Sequence, residues 1–279
     1  MKLNNKRTIL VGLAFLSICA FWQMYDSVVP LILTKTFHMN ETFSGAIMAA
    51  DNILALFLLP FFGSLSDRTT TKLGKRMPFI LFGTGCAVIL MNILPLLDNS
   101  YASAPSTFKT VSFVIVLGLL LIAMGTYRSP AVALMPDVTP KPLRSRGNAI
   151  INLMGAVGGI LYLGVAAVLY PNSKTAGLAH VNYQPLFIVV SAIMFVAIAV
   201  LFLTIKEPKL TAENQALEKE HPDWNLAKDD GSGHEMLPKP VKKSLGFLLA
   251  SIALWFIGYN GVTTWFSTYV DVVMGQGLG

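Results

Sequence analysis

Gly63-Ser64-Leu65-Ser66-Asp67-Arg68, continued by Thr69-Thr70-Thr71-Lys72-Leu73-Gly74-Lys75-Arg76, is a basic hinge between two long apolar runs. A loop this rich in cations, set between two membrane-length segments, lies at one face of a bilayer, and the positive-inside rule assigns that face to the cytoplasm. Its glycines let helices approach closely. Asp67 closes one run beside Arg68, while Lys75 and Arg76 precede the next, which reads as a charge-and-cap lock at helix ends.

The whole chain agrees with that reading. Of 279 residues, 54% are hydrophobic and only 13% charged, whereas soluble globular domains carry about 25% charged residues. The net charge of +6 would suit nucleic acid, but its distribution points to the rim of a membrane protein. Seventeen Lys/Arg fall in alternate connections (before the first span and between spans 2–3, 4–5 and 6–7), and three, Lys35, Lys109 and Lys174, in the others. The N-terminus is therefore expected inside, in a multi-pass protein of the cell membrane whose partner is the lipid bilayer and not nucleic acid.

Crossing a hydrocarbon core of about 30 Å takes about 20 residues, and up to about 27 with tilt. Seven runs qualify, near 8–34, 43–66, 77–97, 111–135, 149–170, 185–205 and 245–271. The first is expected to stay in place as a span: its apolar character persists to Leu33 without a small-residue cleavage site, and Ile18 departs from a lipoprotein box at Leu16–Cys19. Residues 206–243 break the pattern with interleaved acids and lysines, ending in Gly231-Ser232-Gly233 and Pro238-Lys239-Pro240, and read as a solvated linker. The expected organisation is all-α: a six-helix transmembrane domain over 1–205, a cytoplasmic linker over 206–243, and over 244–279 the first helix of a second transmembrane domain. Cys19 and Cys86 lie inside apolar runs and read as small hydrophobes.

Three longer motifs add a resemblance. Pro60-Phe61-Phe62-Gly63 with Ser66-Asp67-Arg68 and Gly74-Lys75-Arg76-Met77-Pro78, then Pro130 through Asp137 with Arg144-Ser145-Arg146-Gly147-Asn148, and finally Gly258-Tyr259-Asn260-Gly261 are similar to the major facilitator transporters, in particular the sugar:cation symporter branch. The resemblance runs nearly the whole length, but only of a first half and the seventh helix. It implies two inverted three-helix repeats around a midplane site, with alternating access. It also implies a cytoplasmic gating motif of Gly63, Asp67, Arg68, Gly74, Lys75, Arg76, Asp137, Arg144 and Arg146. Two patterns of the branch are absent: Ala55 and Leu59 stand where the melibiose-permease type carries an acidic pair, and Leu121 and Val132 where the plant sucrose type has an acid and an arginine. The first type's sodium site therefore does not carry over.

Ionisable groups within spans are costly, so they mark function or a specific partner. Away from the span ends there are three: Asp26, Asp51 and Arg128. The two aspartates lie at similar depth and are the proton-coupling candidates; as a structural alternative, either one bonds a neighbouring helix. Arg128, placed roughly 15 Å from Asp26 along the axis by a 1.5 Å rise per residue, is expected to bind a sugar hydroxyl or substrate carboxylate, or to snorkel toward the cytoplasm. Pro130 is expected to open the helix beside it. Trp22 and Gln23 share a helix face with Asp26, with Tyr25 beside that stripe. Together with Asn152, Tyr259 and Asn260, they are the substrate-binding candidates, an indole and amides suited to a sugar. The bland reading of such aromatics is an interfacial belt.

The expected function is thus proton-coupled sugar symport about a site between spans 1, 4, 5 and 7, with the proton as coupling ion, no cofactor and no metal. It is not expected to be an enzyme, since no nucleophile–base pair or metal cluster is evident and the four histidines fall in loops, read as solvated. The rival expectation is a truncated half with no transport of its own, acting at most as an assembly partner of a missing C-terminal half or a second copy.

Overall fold

The computed structural model describes residues 3–175, 178, 180–221, 224 and 239–275. All its regular structure is helical: α1 Asn5–Leu31 followed by a π-helical turn Ile32–Thr36, α2 Glu41–Arg68, α3 Met77–Ser103, α4 Thr107–Val138, a 3-10 turn Lys141–Leu143, α5 Arg144–Leu169, α6 Asn172–Thr175, α7 Gln184–Thr204, α8 Glu207–Glu220 and α9 Lys239–Met274. Seven of these segments are long and apolar enough to cross a membrane, giving a multi-pass membrane protein with six spanning helices and a seventh, α9. Pro240 to Met274 carries the seventh span, and residues 222–223 and 225–238 of the expected linker lie outside the described residues.

The helix ends follow from local chemistry. The Asn4 side chain accepts a hydrogen bond from Arg7 N at 3.1 Å and caps α1. Asn40, the first residue of an Asn-Glu-Thr sequon, caps α2 by accepting from Thr42 N at 2.9 Å. Glu41 in the first turn and Arg68 in the last complement the dipole of α2. Gly74 turns the chain back toward α3 with φ of +112°, a conformation that favours glycine.

α1 is the central helix. It packs on α5, α7 and α9, while α3 packs on α4 and α7 and α2 rests on α4. Missing side chains permit the close approaches: a Cβ on Gly158 of α5 would run into the Leu16 carbonyl of α1, and one on Gly83 of α3 would lie 2.8 Å from the Tyr127 nitrogen of α4. The large apolar side chains of α2 and α9, among them Phe57, Phe61, Leu248 and Leu254, remain exposed, as a hydrocarbon solvent requires.

Three expectations about organisation change. The spans are longer than the apolar runs, so the expected loop from Asp98 to Thr110 shrinks to residues 104–106. Asp98, Asn99 and Ser100 look like loop residues, but Lys109 Nζ donates to the Ser100 and Ala104 carbonyls at 2.7 and 2.8 Å, and so satisfies the end of a longer α3. The expected solvated linker contains a docked helix, α8, and α9 begins at Lys239, inside its boundary. Pro130 does not open the fourth span, since α4 runs through both Pro130 and Pro136.

Candidate functional site

α1, α2, α4 and α9 enclose a cavity of about 320 Å³ in the middle of the fold, within the size range of small-molecule sites. α1 contributes Cys19, Trp22, Gln23 and Asp26, α2 contributes Met48, Asp51 and Asn52, α4 contributes Arg128, and α9 contributes Phe256, Tyr259, Asn260 and Thr264. The aspartates meet because both stand ten residues from the helix ends that face each other, Asp26 from Thr36 and Asp51 from Glu41. Asn52 donates from its backbone at 2.6 Å and from its side chain at 2.8 Å to Asp51 Oδ1, orienting that carboxylate.

Arg128 was expected apart from Asp26, toward the basic face; it shares the cavity with both aspartates. Its guanidinium carbon lies 5.6 Å from the Trp22 ring centroid, a cation–π distance. One face of the indole expected to stack on a sugar is therefore taken by a cation. The opposite wall offers a second aromatic surface, where Tyr259 stacks on Trp255 at 5.4 Å between centroids. Behind Arg128 and Asp51 lies a recess of about 20 Å³, lined also by Ala55, Leu59 and Leu121; it has room for about one water.

Two substrate candidates fall outside this cavity. Tyr25 is 1% exposed and packed edge-on against Trp22 at 5.3 Å, so the turn of the helix directs it into the core. Asn152 is exposed on α5 and does not line the cavity. α5 itself presents Gly155 and Gly158 to α1 and is too tightly packed there to open a wall. This cavity thus lies between α1, α2, α4 and α9, whereas a site between spans 1, 4, 5 and 7 was expected.

On the basic face, Arg76 joins three helices. Its Nε donates to Asp137 Oδ2 of α4 at 2.8 Å, and its terminal nitrogens reach Asp67 and Ser66 of α2. Burial disfavours the guanidinium charge, but the hydrogen bonds and charges of Asp137 and Asp67 outweigh it and raise its proton affinity above the ordinary value. Glu207, which opens α8, accepts from the backbone N–H groups of Lys75, Arg76 and Met77 at 2.7, 2.9 and 2.8 Å; a carboxylate thereby fills the anion-binding N-terminus of α3. Gly74 must lack a side chain here as well, because a Cβ would strike the Glu207 carboxylate.

Farther along α8, Asn214 Nδ2 donates to the Asp137 carbonyl at 3.1 Å, and Arg144 Nη2 reaches Glu218 Oε1 at 3.0 Å. Of the residues expected in the gating motif, Asp67, Arg76 and Asp137 come together. Arg144 pairs with α8 instead, Gly63 packs against Ser129, and Arg68 and Arg146 are exposed. Glu207 and Glu218 were missed. Glu207-Pro208 directly after a span is an acid and proline at a helix start, a signal present in the sequence.

The Major Facilitator Superfamily profile matches residues 11–279. The chain belongs to the Major Facilitator Superfamily. Within curated superfamily proteins, the sucrose transport protein SUC3 of Arabidopsis thaliana is 36% identical over 140 residues, 46% of this chain and 23% of that protein. The sucrose transport protein SUT3 of Oryza sativa subsp. indica is 32% identical over 141 residues, 46% of this chain and 28% of that protein. The alpha-ketoglutarate permease of Escherichia coli is 27% identical over 178 residues, 63% of this chain and 38% of that protein. The matched stretch thus spans well under half the length of each of these relatives. Relatives among the sucrose transport proteins agree with the sugar:cation branch indicated by the three motifs.

Proposed function

We propose that this chain supplies the substrate-binding half of a proton-coupled sugar transporter that works by alternating access about the α1/α2/α4/α9 cavity. The observation that carries the reading is the meeting of Trp22, Gln23, Tyr259 and Asn260 with Asp26, Asp51 and Arg128 in one cavity. Aromatic walls with a few polar anchors suit a sugar ring and its hydroxyls. Ionisable groups at membrane depth suit the handling of a proton. Sucrose transport proteins among the relatives support the same substrate class. A second half, in the same polypeptide or in another copy, supplies the opposing wall, and the N-terminus faces the cytoplasm of the cell-membrane protein.

Asp26 is the principal proton carrier, with Asp51 its partner. Asp26→Asn mimics the protonated state permanently, so the full-length transporter retains counterflow exchange of sugar and loses accumulation driven by a pH gradient. Undiminished gradient-driven accumulation, normalised to protein in the membrane, rejects the coupling role of Asp26 and moves it to Asp51.

One observation favours a second reading. Arg128 is the one cation lining the cavity among the described residues, and the relatives include an alpha-ketoglutarate permease. A guanidinium fork suits a carboxylate. On this reading the substrate is a small organic acid, and dicarboxylates rather than sugars compete for uptake.

A further inference from the structure

His180, expected to be solvated, is instead half-buried where α1, α3 and the segment before α7 meet, on the face opposite the basic loops. Its Nε2 lies 2.9 Å from Asn99 Oδ1 and its Nδ1 3.3 Å from Thr36 Oγ1. The tautomer follows from the rest of the network. Asn182 Oδ1 accepts from the backbone N–H of Gln184 at 2.9 Å and also takes Asn99 Nδ2 at 2.8 Å, which leaves Asn99 Oδ1 as an acceptor. His180 therefore donates from Nε2 and accepts the Thr36 hydroxyl at Nδ1.

Beside this ring is Asp98, whose side chain is fully buried, 3.9 Å from His180 Nε2. Neither carboxylate oxygen has a hydrogen bond of ordinary geometry among the described residues; the Thr36 hydroxyl, turned to His180, lies beside it. A buried carboxylate with no neutralising partner is strongly disfavoured. We propose that Asp98 and His180 form a proton-binding site, separate from the central cavity, that holds one proton between them and with it fastens the ends of α1, α3 and α7. The wiring accommodates that proton. Once Nδ1 is protonated it donates to Thr36 Oγ1, and the Thr36 hydroxyl, which neighbours the Asp98 carboxylate, is released to turn toward it.

The other titratable groups near this end of the fold include Lys35, His38, Tyr101, Lys109, Lys174, Tyr170 and Tyr183, and Tyr101 packs its ring on Phe37 at 4.4 Å. Lys109 is committed to the end of α3, Tyr170 donates to the Asn182 carbonyl at 2.8 Å, and Lys35 and Tyr183 have interactions of their own. Burial by itself lowers the proton affinity of His180. The proton is held because of Asp98, and the sign of the pH dependence therefore turns on that residue.

Hydrogen exchange of the full-length protein in detergent, followed in peptides covering 93–103 and 178–187 from pH 5.5 to 8.5 and corrected for intrinsic rates, tests this. When the segment opens, a free histidine holds no proton above about pH 6.5, while the closed pair keeps one, so wild-type protection falls as pH rises. The fall is about tenfold for each unit by which the pair outbinds a free histidine. In Asp98→Asn, and in Asp98→Leu as an apolar alternative that keeps the core filled, the half-buried imidazole has lost its carboxylate, and its lowered proton affinity leaves it neutral when closed and protonated when open below about pH 6.5, so protection falls as pH drops. The double variant Asp98→Asn/His180→Gln shows no slope. A flat wild-type profile, or a slope of the same sign with and without the Asp98 carboxylate, overturns the proposal.

Discussion

Glu207 receives the backbone nitrogen of Arg76 at 2.9 Å while the side chain of the same arginine reaches Asp137 at 2.8 Å, so one residue ties α8 to both α3 and α4. Glu207→Ala leaves three N–H groups without an acceptor, and the two that are buried, of Arg76 and Met77, each cost about 1–3 kcal/mol when unsatisfied. The expected result is a clear drop in melting temperature in detergent and faster trypsin cleavage at Lys209 and Lys219. Glu207→Gln keeps an acceptor oxygen and falls between Glu207→Ala and wild type.

The two carboxylates on Arg76 are not equivalent. The side chain of Asp67 is 61% exposed and that of Asp137 is 23% exposed. Solvent screens the first pair to about 0–1 kcal/mol. Asp137→Asn is therefore expected to lower stability more than Asp67→Asn, and Arg76→Lys, which cannot span Asp67, Ser66 and Asp137 together, more than either. Chemical denaturation of the three variants in one detergent orders them.

Substrate affinity is expected to separate Asn260 from Asn152. Asn260 lines the cavity, whereas Asn152 is exposed on α5. Losing one hydrogen bond of about 0.5–1.5 kcal/mol raises the transport KM of Asn260→Ala by roughly two- to tenfold. Asn152→Ala leaves it unchanged. Equal effects of the two, in uptake by the full-length protein, would place the binding site elsewhere.

The Gly158 position on α5 has no room for a methyl group against the Leu16 backbone, whereas Gly164 on the same helix has nothing within 4 Å. Gly158→Ala pushes two helix backbones apart and is expected to lower the melting temperature. Gly164→Ala is expected to be neutral or stabilising, by up to about 1 kcal/mol from helix propensity.

The orientation drawn from charge is checked with single cysteines at Ser100 and Gln215, both exposed, in a background lacking Cys19 and Cys86. An impermeant thiol reagent on intact cells labels Ser100→Cys and not Gln215→Cys. The opposite pattern inverts the topology.

The sequence by itself determined that this is an all-helical membrane chain with seven spans, and which superfamily its loop motifs belong to. These properties rest on local quantities: the length of apolar runs, the side on which cations collect and the residues at turns. It also singled out Asp26, Asp51, Arg128, Trp22, Gln23, Tyr259 and Asn260, because polar groups in hydrocarbon are conspicuous whatever they touch. Only the tertiary structure decided which of the candidates share a cavity. Arg128 shares the cavity with Asp26 because of how α4 lies against α1, while Tyr25 and Asn152 lie outside its lining because helix rotation aims a side chain to within a fraction of a turn. Longer-range partnerships were hidden for the same reason. Glu207 finds the start of α3 and His180 finds Asp98 at sequence separations of 131 and 82 respectively, from Arg76 to Glu207 and from Asp98 to His180. Composition had marked both as solvated, since a short-range reading cannot anticipate that a distant helix end or carboxylate needs the charge they carry.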